Sequence, residues 1–482
     1  MLKKLFSDSL LYGLSSILAR IINYALVPLH TSVLSAQEYG TISEFYAYAA
    51  FLNVIYTYGM ETAYFRFTSL QEQEPSYVFR QILTLLIFST LLFSSLLYFN
   101  SATIASWIGN TEKSIYVEWF SCILAIDTLM VIPFAHLRYQ QKAKQFALLK
   151  ILNILLNVGL NYLFLWFLPH FYSLPVFYND KIGIVFASNL LANLCWIPFF
   201  FPLLKDFRFY WNSSLVQKLF KYGIPILFSG IAFAINEVAD RILLKYWLPH
   251  HFYLNLNAEE AVGIYSACYK LSIFITLTVQ AYRFAAEPFF FAKASDKNSF
   301  QYYADSMYYF TLICATMLLG IGANLDWIAL LFLKNPIYRQ GLEVVSFLLL
   351  GNVALGIYYN LSVWYKITNQ TYWGVIFSGV AAIFTLVGNY ALIPLLGYLG
   401  SAITTAVAYT SMAVSCFWIG KKYMPIPYRW TFPLSILLIS FLVSVVLHFA
   451  FESFTLKTII GNLLWALVVL ILYLKEKDKL LS

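Results

Sequence analysis

Charged side chains interrupt an apolar stretch that runs from Ile231 to Trp247. A charge at the centre of a bilayer costs about 2.5–3.5 kcal/mol on insertion scales, so it is retained only where it has a partner or a task. Glu237 and Arg241 are four residues apart and share one side of a helix. This spacing fits a structural ion pair that locks helix packing. It also fits a charged wall on a polar cavity, where a guanidinium can bind phosphate oxygens bidentately. The polar residues of the stretch are Asn236, Glu237, Asp240, Arg241 and Lys245.

Further charges lie in other apolar stretches and raise the same two possibilities. Arg20 has no acid three or four residues away, so its partner must be on another helix, in a ligand or in water, and Asp127 is one candidate. Arg283 and Glu287 are four residues apart and predict a local ion pair. Lys245 is expected to snorkel outward to the membrane surface. The other candidates for a cavity wall are Lys270 and Glu61.

Metal, redox and nucleotide chemistry find no support in the sequence. The five cysteines lie inside or beside apolar runs without a C-x-x-C spacing, and the six histidines are scattered. We therefore expect no disulfide frame, no metal site and no cofactor. A G-x-x-x-x-G-K-[ST] phosphate-binding loop is absent, so ATP hydrolysis by this chain is not expected.

Composition places the chain in a membrane. Hydrophobic residues make up 61% of its 482 residues and charged residues only 11%, which is typical of a polytopic membrane protein. Windows of about 20 apolar residues predict about fourteen spans joined by short connections. Their approximate limits are 9–33, 39–66, 79–100, 115–137, 146–168, 182–204, 219–247, 261–291, 301–323, 341–365, 371–394, 398–420, 431–450 and 456–474.

The basic residues predict the orientation. Most of the 31 Lys and Arg fall on cytoplasmic segments if the N-terminus is in the cytoplasm, as the positive-inside rule requires. An even number of spans then places both termini in the cytoplasm. The net charge of +8 follows from this topology and does not indicate a nucleic-acid partner.

A weak internal repeat predicts the domain organisation. Tyr39-Gly40, which opens the second span, matches Val262-Gly263 at the opening of the eighth. Because the matches keep the same order and direction, the copies have parallel topology, as in transporters built from two six-helix halves. We predict one six-helix lobe in residues 1–210, a second in residues 211–424, and two additional spans with a cytoplasmic tail in residues 425–482.

Several motifs resemble a known family. Four segments are similar to the pattern of the polysaccharide transporter family. They are Asp240-Arg241-Ile-Leu-Leu, the run from Val262 to Leu271, the run from Ala281 to Phe290, and Leu34 through Tyr39-Gly40. This family includes the O-antigen flippases and belongs to the multidrug/oligosaccharidyl-lipid/polysaccharide flippase superfamily. The resemblance covers essentially the whole chain. It implies an all-α, V-shaped bundle of two lobes plus a C-terminal helix pair.

The resemblance also implies a function and roles for the charges. Members move undecaprenyl-pyrophosphate-linked oligosaccharides from the cytoplasmic to the periplasmic leaflet of the bacterial inner membrane by alternating access. A pyrophosphate carries about two negative charges that cannot cross hydrocarbon alone. The expected substrate-binding cations are Arg20, Arg241, Arg283 and Lys270. The acids expected to position the arginines, or to couple transport to protons or Na⁺, are Glu237, Asp240, Glu287, Asp127 and Glu61. Expected partners are the lipid-linked substrate, membrane lipid and a polysaccharide polymerase.

Two other classes remain open. A cation-coupled multidrug antiporter of the same superfamily would have about twelve spans and unpaired carboxylates in its cavity. A polysaccharide polymerase or ligase would need a sizeable periplasmic loop, and the predicted outside connections are short. We therefore expect a transporter that serves surface polysaccharide synthesis and not an enzyme.

Overall fold

The computed structural model describes residues 13, 15–69, 74–109, 113–172, 179–205, 207–294 and 296–480. The regular secondary structure of these residues is entirely helical, and they contain no β-strand. Within them, eleven helices are long and apolar enough to cross a membrane, and the count reaches twelve if a pair bent by 47° forms one span. The chain is therefore an all-α, multi-pass membrane protein.

Residues 15–24 are helical, and the α-helices described next follow them along the chain. They are α1 (Leu26–Val33), α2 (Ala36–Thr57), α3 (Met60–Ser69), α4 (Pro75–Phe99), α5 (Ser101–Trp107), α6 (Ser114–Tyr139), α7 (Ala143–Tyr162), α8 (Leu168–Phe171), α9 (Lys181–Trp196), α10 (Phe201–Leu204), α11 (Ser213–Trp247), α12 (Ala258–Lys270), α13 (Ile273–Ala292), α14 (Ser299–Ala323), α15 (Leu325–Phe332), α16 (Val344–Leu361), α17 (Val363–Ile367), α18 (Tyr372–Leu396), α19 (Tyr398–Tyr423), α20 (Thr431–Ala450) and α21 (Phe454–Leu480).

The predicted count of about fourteen spans stays a prediction. The first predicted span, 9–33, lies partly outside the described residues. Most of the second predicted span falls on α2, which is not among the eleven apolar helices. The eighth corresponds to the bent pair of α12 and α13.

The chain divides into two compact units. The first comprises Met1–Leu29 and Glu44–Ala234, and the second comprises His30–Ser43 and Ile235–Ser482. The chain passes from the second unit to the first between residues 43 and 44, inside α2. It returns to the second unit between residues 234 and 235, inside α11. The predicted division at residues 210 and 424 remains a prediction.

The first unit has an apolar core formed by α3, α4 and α6. Met60, Tyr64, Phe79, Ile82 and Ile132 are buried there. Burial of such side chains contributes about 1.5–3 kcal/mol each in water. A polar link crosses this core, because the Tyr64 hydroxyl and His136 Nδ1 are 2.7 Å apart.

The second unit includes the two C-terminal helices α20 and α21, which pack on α14. Tyr308 on α14 donates to Glu476 Oε1 on α21 at 2.6 Å. Asn324 and Asn462 exchange two amide hydrogen bonds of 2.9 and 3.1 Å. Such polar pairs hold helices together where the surrounding solvent is itself apolar.

Two glycines bring the start of α2 against α12 within the second unit. A Cβ atom at Gly40 would overlap the Glu259 carbonyl, and one at Gly263 would overlap the Ala36 carbonyl. The two built Cβ positions each lie 3.0 Å from the backbone nitrogen of the other glycine. Gly40 and Gly263, which the predicted repeat places at equivalent positions, are thus neighbours where α2 crosses α12.

Both helices of this crossing start in the same way. Ser35 Oγ accepts from the Glu38 amide at 3.2 Å, and Glu38 Oε2 accepts from the Ser35 amide at 2.7 Å. Asn257 and Glu260 form the corresponding reciprocal pair at the start of α12. These capping boxes satisfy backbone donors that a helix end otherwise leaves open.

Candidate functional site

Arg241 on α11 is held by its own helix and by α12. Its Nη1 lies 3.2 Å from Asp240 Oδ1 and donates to the Glu237 carbonyl oxygen at 2.8 Å. The guanidinium carbon lies 4.3 Å from the centroid of the Tyr269 ring, within range of a cation–π interaction. The Arg241 side chain is 12% exposed, so it is largely desolvated but reachable.

Asp240 is the acid that balances Arg241. Its side chain is only 2% exposed, and its second oxygen accepts a hydrogen bond from the Tyr265 hydroxyl at 2.5 Å. Glu237, which the spacing of four residues offered as a partner, interacts electrostatically with Arg241 more weakly than Asp240 does. Arg241 uses the backbone carbonyl of Glu237, whose side chain is exposed. The buried Tyr265 of α12 completes the Asp240 site, and no spacing within α11 reveals it.

Arg283 on α13 forms a second, more open group. Its Nε lies 3.8 Å from Glu287 Oε1, so the predicted pair of these residues is confirmed. Lys366 also donates to Glu287 Oε1, at 2.6 Å. The Arg283 side chain is 41% exposed, and its guanidinium carbon lies 4.9 Å from the Tyr359 ring centroid. Both in-span arginines of the second unit therefore lie on tyrosine faces.

Tyr359 on α16 links the two groups. It interacts electrostatically with Arg283, Glu287 and Glu237. Exposed charges in membrane-spanning helices do not face lipid, because hydrocarbon would leave them unsolvated. That Glu237 and Arg283 face a polar cavity stays a prediction.

The two lysines of this region differ in setting. Lys245 Nζ lies 3.3 Å from Glu259 Oε1, so it makes an ion pair where the sequence predicted snorkelling. Gln37 Nε2 donates to the other oxygen of Glu259 at 2.8 Å. Lys270 is exposed at the end of α12, and its role as a substrate-binding cation stays a prediction.

The first unit carries a separate group of cations. Arg138 Nη1 lies 2.6 Å from Glu61 Oε1. Lys150 on α7 interacts electrostatically with Arg20, Arg138 and Glu61. The group thus contains three cations, Arg20, Arg138 and Lys150, and one acid, Glu61. In the part of the chain that the structure describes, the exposed Arg20 makes no hydrogen bond or ion pair, which leaves an excess of positive charge.

Asp127 is not the partner of Arg20. Its Oδ1 accepts from Asn193 Nδ2 at 2.9 Å, and Asn153 in turn donates to Asn193 Oδ1 at 3.3 Å. The carboxylate is exposed on α6 at the end of this amide chain. A carboxylate held by amides, without a cation, can take up a proton or a cation.

Comparison with known proteins decides the family. The family model described as "Polysaccharide biosynthesis protein" matches residues 5–294. The chain belongs to this family. The family resemblance predicted from the motifs is therefore confirmed.

Solved structures and curated relatives agree with the polysaccharide biosynthesis family. The lipid II flippase MurJ in its inward closed conformation has a TM-score of 0.74 at 15% identity and covers 98% of this chain and 100% of its own. An inward-facing multidrug resistance MATE transporter of the MOP superfamily has a TM-score of 0.66 at 14% identity and covers 83% of this chain and 93% of its own. These likenesses show that the chain shares the fold of both proteins.

A curated relative, Lsg locus putative protein 1 of Haemophilus influenzae, is 20% identical over 307 residues, which is 61% of this chain and 68% of that protein. An uncharacterized membrane protein of Methanocaldococcus jannaschii is 24% identical over 236 residues, 46% of this chain and 43% of its own length. Among these neighbours, the two solved structures are those of a flippase and a transporter.

Sequence reasoning missed several members of both groups. Lys150 and Lys366 lie near the ends of predicted spans, where basic residues indicate the orientation of the chain in the membrane. Tyr269 and Tyr359 carry no charge and fall among many other tyrosines. The signal available for Tyr269 was its neighbour Lys270 in the family-like run from Val262 to Leu271, and nothing in that run pointed to contact with Arg241.

If the chain transports an anionic substrate that Arg20 binds, replacing Arg20 by glutamine should lower transport about tenfold or more, because a hydrogen bond to a charged group contributes about 1.5–3 kcal/mol. Protein levels should stay normal, since Arg20 is exposed. Arg66→Gln removes the same charge from a guanidinium over the Tyr222 ring and serves as the matched control. Equal transport by the two variants would contradict a substrate role for Arg20.

Proposed function

We propose that this protein flips oligosaccharide repeat units linked to undecaprenyl pyrophosphate from the cytoplasmic to the periplasmic leaflet of the bacterial inner membrane, by alternating access. The product would feed synthesis of O-antigen, capsule or exopolysaccharide. The observation that carries the proposal is a set of reachable guanidinium groups in predicted spans. Arg241 and Arg283 are held by an acid and a tyrosine ring and remain partly exposed, and Arg20 is exposed.

The chemistry of the head group fits these arginines. A pyrophosphate carries about two negative charges, and its transfer into hydrocarbon is prohibitively costly without counter-charge. A guanidinium stays charged at any physiological pH and presents a planar fork of donors. Arg241 uses Nη1 for Asp240 and the Glu237 carbonyl, and its ring-stacked plane still presents other N–H donors to a ligand.

The acids suit a different task. Asp240 and Glu287 are ion-paired with cations and hold those cations when substrate is absent. Glu237 and Asp127 are exposed in spans and are the acids we propose for coupling to protons or Na⁺. The membrane potential would also contribute, because an anion moving outward from a negative interior gains about 2.3 kcal/mol per charge per 100 mV.

The orientation follows from the basic residues. We propose that both termini lie in the cytoplasm and that the chain has about fourteen spans, with two six-helix lobes. A polysaccharide polymerase that acts on the periplasmic product is the expected pathway partner.

A multidrug antiporter is the second candidate, since MATE transporters share the fold and Asp127 is an exposed carboxylate. The excess of positive charge around Arg20 and Lys150 weighs against it. An organic cation near three basic side chains and one acid is repelled.

Depletion of the protein in its host tests the proposal. Lipid-linked repeat units should accumulate on the cytoplasmic side, inaccessible to enzymes added to the periplasm, and surface glycan should disappear. Resistance to cationic drugs should not change. If repeat units reach the periplasm unpolymerised, the flippase assignment fails. Loss of drug resistance with normal glycan would favour the antiporter.

A further inference from the structure

Glu287 on α13 interacts with two cations through one oxygen, and it holds them unequally. Lys366 Nζ lies 2.6 Å from Glu287 Oε1 and forms a hydrogen-bonded ion pair. Arg283 Nε lies 3.8 Å from the same oxygen, which is beyond the range of a hydrogen bond. An arginine and a carboxylate that pair closely often form two short N–H···O bonds. Arg283 and Glu287 do not have this bidentate geometry, although they are four residues apart on one helix.

Packing between α13 and α17 brings Lys366 to Glu287. Val363 on α17 is buried in one apolar cluster with Ala286 and Phe290, which precede and follow Glu287 along α13. The three residues before Lys366 in α17 are all buried, whereas the Lys366 side chain is 27% exposed. The fold itself, and not Arg283, thus places this second cation beside Glu287.

Tyr359 on α16 holds Arg283 without neutralising it. The guanidinium carbon of Arg283 lies 4.9 Å from the centroid of the Tyr359 ring, within range of a cation–π interaction. Asn360, next to Tyr359, donates to the hydroxyl of Tyr282, next to Arg283, and this bond fixes α16 against α13. The Arg283 side chain remains 41% exposed, so an anion can reach its guanidinium.

The charge balance of this group differs from that of Arg241. Arg283 and Lys366 together carry two positive charges, and Glu287 carries one negative charge. Arg241 is instead matched by Asp240 at 3.2 Å. Without Lys366, Glu287 would be an acid with Arg283 as its one cation in this group, and the two could close into a bidentate pair. That pair would compete with any anion for the same N–H donors.

We infer that Lys366 is a positioning residue, which holds Glu287 and thereby keeps the guanidinium of Arg283 open to an anionic group. The identity of the anion rests on the proposed function, where it is the pyrophosphate of the lipid-linked substrate. Lys366 acts through Glu287 in this arrangement, because its ammonium group is already bound to that carboxylate.

Phenylglyoxal, which modifies arginine side chains, measures whether the guanidinium of Arg283 is open. The purified full-length protein in detergent would be treated with this reagent, and the rate at each arginine followed by mass spectrometry of its peptides. Lys366→Gln should slow the modification of Arg283 about threefold or more, as expected for a partly exposed ion pair with bidentate geometry. The double variant Lys366→Gln with Glu287→Gln should restore the rate, since the competing acid is gone.

Two controls accompany these variants. The rate at Arg241 serves as an internal reference and should not change, because its pair with Asp240 is untouched. Lys293→Gln breaks another lysine–acid pair of the same unit, with Asp296 at 3.3 Å, and should leave the rate at Arg283 unchanged. The thermal unfolding midpoint of each variant shows whether it is folded.

The rate at Arg283 can also overturn the role of Lys366. An unchanged rate in folded Lys366→Gln would do so, and equal slowing at Arg283 and Arg241 would show a general structural effect instead. If Lys366→Gln does not fold, Glu287→Gln decides the question. With the competing acid removed, Arg283 should react at least as fast as in the unmodified protein, and slower reaction contradicts the inference.

Inorganic pyrophosphate separates this inference from the proposed function. Millimolar pyrophosphate should protect Arg283 from phenylglyoxal in the unmodified protein and in the double variant, and protect it less in Lys366→Gln. If the rates without pyrophosphate follow the expected pattern and pyrophosphate protects none of these proteins, Lys366 has the inferred role. The pyrophosphate assignment of the proposed function then fails by itself.

Discussion

Neutralising Arg241 and Asp240 together should restore the folded protein that Arg241→Gln alone loses, and should not restore transport. Arg241→Gln leaves the Asp240 carboxylate, 2% exposed, without its cation. Breaking a buried pair in this way costs about 3–5 kcal/mol. We therefore expect a low level of folded Arg241→Gln protein. The double variant Asp240→Asn with Arg241→Gln leaves no unpaired buried charge and should accumulate normally.

Transport by the double variant separates the two roles of Arg241. If the guanidinium binds pyrophosphate, flipping measured per folded molecule in proteoliposomes should be absent. Arg241→Lys should retain part of it, because a point charge replaces a planar fork. If Arg241 is only structural, the double variant should flip lipid-linked oligosaccharide like the unmodified protein.

A second ion pair in the same unit supplies the control. Lys245 and Glu259 lie 3.3 Å apart, and the double neutral variant Lys245→Gln with Glu259→Gln removes both charges. We expect normal protein level and normal transport. A loss of transport as large as that caused by the Asp240 and Arg241 changes would show that any missing ion pair disables this unit.

Alanine at Gly40 or Gly263 should sharply reduce the yield of folded protein. At each position the new Cβ would overlap a backbone carbonyl of the other helix, and a backbone atom cannot move aside like a side chain. Overpacking costs typically 1–3 kcal/mol, and a displaced helix crossing adds to it. The measurement is the thermal unfolding midpoint of purified protein, together with its yield.

Two other glycines make a matched comparison. A Cβ at Gly159 or Gly379 would meet no atom within 4 Å. Alanine there should be neutral or stabilising by about 0.5–1 kcal/mol, since glycine is unfavourable in a helix interior. If Gly40→Ala unfolds at the same temperature as Gly159→Ala, the close crossing of α2 and α12 is not needed for stability.

The sequence predicts the class of this fold well. An apolar composition and long apolar windows leave only helices as a way to satisfy backbone hydrogen bonds in lipid. The repeat predicted that Gly40 and Gly263 are equivalent, and the structure adds that they touch. This contact could not be predicted, because similarity between two segments carries no information on their distance.

The candidate sites were predicted only in part. Charges inside apolar windows predicted Arg241, Arg283 and Arg20 as site residues, and their roles stay predictions. Their partners depend on neighbouring helices, where α12 supplies Tyr265 to Asp240 and the segment after α16 supplies Lys366 to Glu287. Spacing along one helix predicted the Arg283–Glu287 pair. It could not rank Asp240 above Glu237 as the acid of Arg241, because that ranking depends on burial by another helix.

The assignment of residues 30–43 to the second unit has a consequence for synthesis. Thr31 donates to the carbonyl of Phe332 at 2.8 Å, and the Tyr338 hydroxyl donates to the Leu34 carbonyl at 3.0 Å. These partners are translated some 300 residues later. At about 5–20 residues per second, the ribosome needs roughly 15–60 s to produce them. Residues 30–43 are therefore synthesised before the residues that they contact in the folded protein. In a nascent chain interrupted before residue 258, α12 is missing and the surface around Gly40 is uncovered.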